Sequence, residues 1–286
     1  MKKMPYLLAF LLVFLVLTAC NGDAVEDASV ENVTASHTML PEKKRLDPVS
    51  APALITEGRI PSENYDLPTT CISLHEWEAF GDYPLALLAE LPEADAAFYS
   101  LDWDKVLIRW EDSLAEFDWL FATPRSIPPQ IWCSDLDGDG QDELAIDCYI
   151  GSGTGVSIEE LHILEKTPDG SLTAYTFPET LWREQIPPLM EIVSVEDWTF
   201  VVMGVDLVNV YLEDDVPREA LEQPLESGEV ATFERLGEGT CDYYFRLHSS
   251  VCLNRESRGG LQYVTDYDAD IDYKDGVFQL SNFHLQ

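Results

Sequence analysis

The chain has 286 residues, with 17 Lys and Arg against 53 Asp and Glu and a net charge of −36. So acidic a surface repels phosphate backbones and anionic lipid headgroups, which argues against a nucleic-acid partner. Hydrophobic and aromatic contents of 46% and 11% are those of a chain that buries a core, so the acidity does not signal disorder.

The first residues, MKKMPYLLAFLLVFLVLTAC, give a basic start at Lys2 and Lys3, an apolar run from Tyr6 to Leu17, and the small residues Thr18 and Ala19. The apolar run is shorter than the about 20 residues that span a bilayer, so segment 1–19 reads as a secretory signal peptide. Leu17-Thr18-Ala19-Cys20 resembles the lipobox of bacterial lipoproteins. The resemblance implies that Cys20 is the lipid-attachment residue and new N-terminus, and that acyl chains such as palmitate anchor an extracytoplasmic, secreted protein to the bacterial cell membrane. Each buried methylene adds about 0.8 kcal/mol of membrane affinity, so several chains on one residue suffice as an anchor.

Residues 20–65 are rich in small, acidic and turn-forming types, with Pro41, Pro48, Pro52 and Pro61, and read as a lipidated flexible tether. Lys43-Lys44-Arg45 is a solvated part of it. From residue 66 to 286 the composition is that of a single β-rich globular domain, and all seven Trp fall between Trp77 and Trp198.

Leu85, Leu88 and Leu91, then Ala94, Ala97 and Phe98, recur at helical spacing around Pro92 and predict short helices at the start of the domain. Beyond Lys105 the period becomes two. Val106 to Trp110 and Leu114 to Trp119 predict a hairpin broken at Glu111-Asp112-Ser113. Two more are marked by Pro168-Asp169-Gly170 and by Lys274-Asp275-Gly276, because Asp-Gly supplies the positive φ of a tight turn. Phe200 to Tyr211 and Thr240 to Leu247 read as strands, and Asp215 to Gln223 as a helical turn or two starting at Pro217. The expected fold class is therefore mainly β, or α+β, with antiparallel sheets built from hairpins and a few short helices.

The segment Asp135-Leu136-Asp137-Gly138-Asp139-Gly140-Gln141-Asp142-Glu143 places carboxylates at loop positions one, three, five and nine. A hard cation such as Ca2+ takes six to eight oxygens, and alternate side chains of a curling loop converge on one point. Gly138 and Gly140 permit the curl, and the carbonyl of Gln141 takes the main-chain place at position seven. The expected metal ligands are Asp135, Asp137, Asp139, Gln141 and Glu143, with Ca2+ as the cofactor. A plain acidic turn between strands is the alternative.

Position twelve is Ile146, in the apolar strand Leu144 to Ile150, where an EF-hand needs a bidentate Glu and a helix. With its acid at position nine and strands on both sides, the loop resembles the FG-GAP or VCBS calcium loop of β-propeller blades. Together with Gly151 to Gly155, Glu160 to Leu164, Tyr244 to His248 and the terminal hairpin, it is similar to VCBS repeat-containing lipoproteins, a likeness that implies no particular reaction. One such loop falls short of the four blades a propeller needs, so a complete propeller is not expected.

Gly151-Ser152-Gly153-Thr154-Gly155 reads as a hairpin turn, since no Walker Lys follows it. Asp266, Asp268, Asp270 and Asp272 alternate with Tyr267, Ala269, Ile271 and Tyr273 and lack the glycine of a metal loop, so they read as the solvated face of a strand. Besides Cys20 there are Cys71, Cys133, Cys148, Cys241 and Cys252, an odd number; Cys241 and Cys252 could pair across a hairpin, or all five are small buried residues. His37, His75, His162, His248 and His284 lack zinc-ligand spacing and read as surface or core residues. With no catalytic constellation legible, the expected role is a non-catalytic binding or envelope-associated protein whose partner is a glycan, a peptide or an envelope protein. An extracellular hydrolase or transferase acting on carbohydrate is the alternative.

Overall fold

A computed structural model of the chain describes residues 45–55, 65–72, 84–102, 105–121, 124–195, 198–212, 216, 221–236, 245–255 and 260–286, all within one compact unit, Leu40–Gln286. No helix among them is long and apolar enough to cross a membrane. Among the described residues the architecture is mainly β, with antiparallel sheets and one short α-helix, and the sheets close into neither a barrel nor a propeller.

The first strands, β1 (Val49–Ser50) and β2 (Ala53–Ile55), fall in the segment expected to be tether. Leu46 and Ala51 are buried in the main core, so residues 46–51 belong to the folded domain. Residues 20–44 lie outside the described residues. Pro48 and Pro52 are tolerated because β1 pairs only with the last strand and β2 only with β10, described below, so each lies on a sheet edge.

The helices expected over 85–98 are strands instead. β3 (Leu85–Leu91), β4 (Ala96–Leu101), β5 (Lys105–Trp110) and β6 (Ser113–Phe117) form a four-stranded antiparallel meander. Two causes produce the false helical period. The register slips between Leu87 and Ala89 opposite Tyr99 and Phe98, a bulge that puts β3 one residue out of alternation. Both faces of the meander are also buried, with Ala86, Leu88 and Phe98 in one core and Leu87, Ala97 and Tyr99 in another, which erases the polar half of the pattern. Pro92–Ala94 is a single 3-10 turn that closes the β3–β4 hairpin. The β5–β6 hairpin forms as expected.

The largest sheet contains β7 (Gln130–Ser134), β8 (Glu143–Gly153), β9 (Val156–Lys166) and β10 (Leu172–Thr176), and it continues through β14 (Glu226–Arg235), β15 (Phe245–Arg255), β16 (Gly260–Lys274) and β17 (Val277–Leu285). β9 is its hub: β8 pairs along one edge, and β10 and β14 share the other, β14 in the sheet's one parallel pairing among the described strands. Leu144, Ile146, Cys148 and Leu164 pack against the meander, while Ala145, Leu161 and Ile163 join the opposite core with β14 to β17.

That second core also holds α1 (Glu179–Arg183), the one α-helix among the described residues, which buries Leu181 and Trp182. The sequence reading missed it because five residues are too few for a period. A third sheet, β11 (Glu191–Val195), β12 (Trp198–Met203) and β13 (Asp206–Val210), packs Ile192, Val201, Met203, Val208 and Val210 against the same core. The single strand expected over Phe200 to Tyr211 is thus two strands, turned at Gly204 with φ 64. β15 begins at Phe245, so Thr240 to Tyr244 and most of the turn expected from Pro217 lie outside the described residues.

Candidate metal centre

The acidic loop is the connection between β7 and β8, closed at its base by the antiparallel partners Cys133 and Leu144, then Ser134 and Glu143. Its curl is made by side chains holding backbone. Asp135 Oδ1 accepts from Gly138 N at 2.8 Å and Asp135 Oδ2 from Gly140 N at 3.0 Å. Asp137 Oδ1 accepts from Asp139 N at 2.9 Å, and Asp139 Oδ1 from Gln141 N at 2.7 Å. Gly138 and Gly140 sit at φ 79 and 90, a region that costs side-chain-bearing residues about 1–2 kcal/mol.

Carboxylate oxygens of Asp135, Asp137 and Glu143 all lie within 4.8 Å of one another. Glu143 is the inner member: it is buried, and its Oε2 accepts from Leu136 N at 2.6 Å. Burial pushes its carboxyl up to about 7; the Leu136 N–H opposes that rise, and the charges of Asp137 and Asp135 add to it. Three carboxylates so close repel by about 1 kcal/mol per pair in water, and by up to about 4 kcal/mol at an effective dielectric of 20. A hard cation relieves this, so the donor set suits an oxygen-seeking divalent ion.

Asp139 does not join the cluster. Its Oδ2 accepts from Gln141 Nε2 at 3.0 Å and its Oδ1 from Gln141 N at 2.7 Å, so the side chain is turned along the loop. Gln141 is exposed and its side chain is spent on Asp139; only its main-chain oxygen is left for the role expected of it.

Beside the loop opens a cavity of about 420 Å³, walled by Asp137, Glu143, Glu165, Asp275, Trp110 and Lys166 among others. Lys166 Nζ lies 4.0 Å from the centre of the Trp110 ring and 2.6 Å from Glu111 Oε2, so the cavity's one cation is held by its wall. Trp110, Trp119 and Trp182 are buried and Trp132 packs on the main core, so these four serve as packing.

The strand reading of Asp266 to Asp272 holds, but its acidic face is not uniformly solvated. Asp270 is buried, held by Arg246 Nε at 2.9 Å and by Asn282 Nδ2 at 2.9 Å from the neighbouring strands. Thr154-Gly155 turns the β8–β9 hairpin, with Gly155 at φ 72. Cys252 carries a free buried thiol, so the pairing with Cys241, which lies outside the described residues, is not formed; Cys71, Cys133 and Cys148 are free as well. His248 Nδ1 lies 2.9 Å from Asp268 Oδ1, and His284 Nδ1 3.6 Å from Asp206 Oδ2; His37 and His75 lie outside the described residues.

Two buried polar arrangements were not anticipated. His162 is enclosed, stacked on Trp119 at 3.9 Å between ring centres, with Nδ1 2.9 Å from Thr176 Oγ1. Burial pulls its imidazole down to about 3. On the other face of the sheet, buried Asp147 is hydrogen-bonded to Glu159, whose Oε2 accepts from Phe233 N at 2.8 Å. Burial, then the charge of Glu159, raises the Asp147 carboxyl well above the usual range, and burial raises that of Glu159 as well. The signal for Asp147 was an acid inside the apolar strand Leu144 to Ile150.

Comparison with protein-family models, with curated proteins and with solved structures found no match to this chain.

Proposed function

We propose that this chain is an extracytoplasmic lipoprotein, anchored to the bacterial cell membrane through Cys20, in which a calcium ion stiffens a β-rich domain that acts by binding rather than by catalysis. The observation that carries the calcium reading is the convergence of Asp135, Asp137 and Glu143. One of the three is buried at the strand base, where an unpaired carboxylate is costly. Asp135, Asp137 and Glu143 would supply side-chain oxygens, and main-chain carbonyls such as that of Gln141, with water, would complete the six to eight that Ca2+ takes. The ion would tie β7 to β8 at the base of the loop. In this reading its work is structural, and the bound partner is a glycan, a peptide or an envelope protein.

The test is a melting curve of the full chain, stripped with chelator and then supplied with Ca2+. At 100 times its Kd an ion adds about 2.7 kcal/mol, which for a domain of this size raises Tm by roughly 5–10 °C. Asp137→Ala should abolish that rise, whereas Asp139→Asn should keep most of it. Superimposable curves with and without Ca2+ would sink the calcium reading.

A further inference from the structure

The three-stranded sheet β11–β13 turns one face to the main core and leaves the other open. Register fixes which residues share the open face: Glu191, Val202 and Leu207 form one row, Val193, Phe200 and Asn209 the next, and Val195 and Trp198 the last, beside Tyr211. Seven of these nine are apolar. Trp198, Leu207 and Tyr211 are 59%, 54% and 82% exposed, and Val193 and Val195 are exposed as well. A contiguous apolar face marks an interaction site in a way that scattered surface hydrophobics do not.

The size of the face limits its occupant. Three strands about 4.8 Å apart and five residues long at about 3.3 Å each make a platform on the order of 15 by 17 Å. That is about a third of the roughly 800 Å² per partner in a stable protein dimer. One amphipathic helix, about 10 Å across and advancing about 5.4 Å per turn, covers it in about three turns.

Charge limits it further. The three strands and their connections, residues 191–210, contain no Lys, Arg or His; of their four acids, Glu191 lies on the open face, Glu196 and Asp197 join β11 to β12, and Asp206 lies on the core-facing row beside His284, within a chain of net charge −36. A second copy would bring like charge to like charge, and an anionic bilayer would be repelled. An apolar stripe flanked by Lys or Arg fits on both counts.

We propose that the open face of β11–β13 docks a basic amphipathic helix of a partner protein. This narrows the binding role proposed above and rests on it only in that the protein acts by binding; neither the anchor nor the calcium loop takes part. Loss of the calcium response or of membrane retention would therefore leave this docking intact.

The probe is a Leu/Lys amphipathic peptide of about three to four helical turns, titrated into the full chain by calorimetry and by Trp fluorescence. Saturable one-to-one binding is expected, weakening with salt, and falling roughly tenfold or more in the Trp198→Ser, Leu207→Ser double variant. Leu120→Ser, at an exposed site in the segment that follows β6, should bind as the parent does, and unchanged near-UV spectra would show that the variants fold. Absence of saturable binding, equal affinity for the peptide with Glu in place of Lys, or undiminished binding by the double variant overturns the proposal. It is also overturned if what the double variant loses is adsorption to phosphatidylcholine vesicles, or a concentration-dependent dimer, rather than peptide binding.

Discussion

His162 and Asp147 lie on opposite faces of one sheet and respond to pH in opposite directions. For His162, burial lowers the folded-state value from 6.5 to about 3. Below about 6.5 the unfolded chain takes up a proton that the folded chain refuses, so this residue's contribution to stability is present at neutral pH and falls as acid is added. Over pH 6.5 to 4.5 the loss amounts to about 2 kcal/mol. Asp147 and Glu159 have raised values, so their contribution is present in acid and is lost as pH rises. His162→Phe keeps a ring on Trp119 and removes the titration; urea unfolding at pH 6.5 and 4.5 should show the variant losing about 2 kcal/mol less than the parent across that interval. An identical loss in both proteins would contradict the burial of a neutral imidazole.

At the scale of elements, the turns were the most legible part of the sequence. The Asp-Gly pair at 275 and 276 adopts φ 48 and 75, the doubly left-handed turn such pairs favour, and it joins β16 to β17 as expected. Gly276 has a second duty that the sequence could not reveal: a Cβ there would come within 2.3 Å of the Tyr175 ring on β10. Gly276→Ala should therefore lower the unfolding free energy by about 2 kcal/mol or more, from left-handed strain and the clash together. Gly204→Ala, where a Cβ meets nothing within 4 Å, should show only the strain. The acidic loop was legible in outline for the same reason, since its Asp and Gly spacing acts locally. That Asp139 turns to Gln141 and Glu143 goes inward depends on how the loop seats on β8, which spacing does not encode. The meander was misread because a bulge and burial on both faces imitate a helical period.

For the whole molecule, the composition indicated a buried core, and the structure divides that core among the two faces of one large sheet and the far face of the meander. The proposed anchor belongs to this scale too, because it would decide where the molecule resides. Cys20→Ser should move the protein from the membrane fraction to the soluble fraction, read by fractionation with and without detergent; retention that still requires detergent would refute lipidation at that residue.

Residues 45–55 join ends of the chain that lie far apart. Leu46 N donates to Leu280 O at 3.0 Å, Ala51 N to Gly276 O at 2.9 Å, β1 pairs with β17 and β2 with β10, so only Ala51 and Pro52 separate strands that cover opposite edges of the largest sheet. Residues 46–51, among the first of the described residues to be synthesised, thus wait for β17 before they can pair. Contacts of such sequence separation slow folding, and until they form two strand edges stay open to other chains. The folding of this sheet is accordingly an event that follows the synthesis of β17.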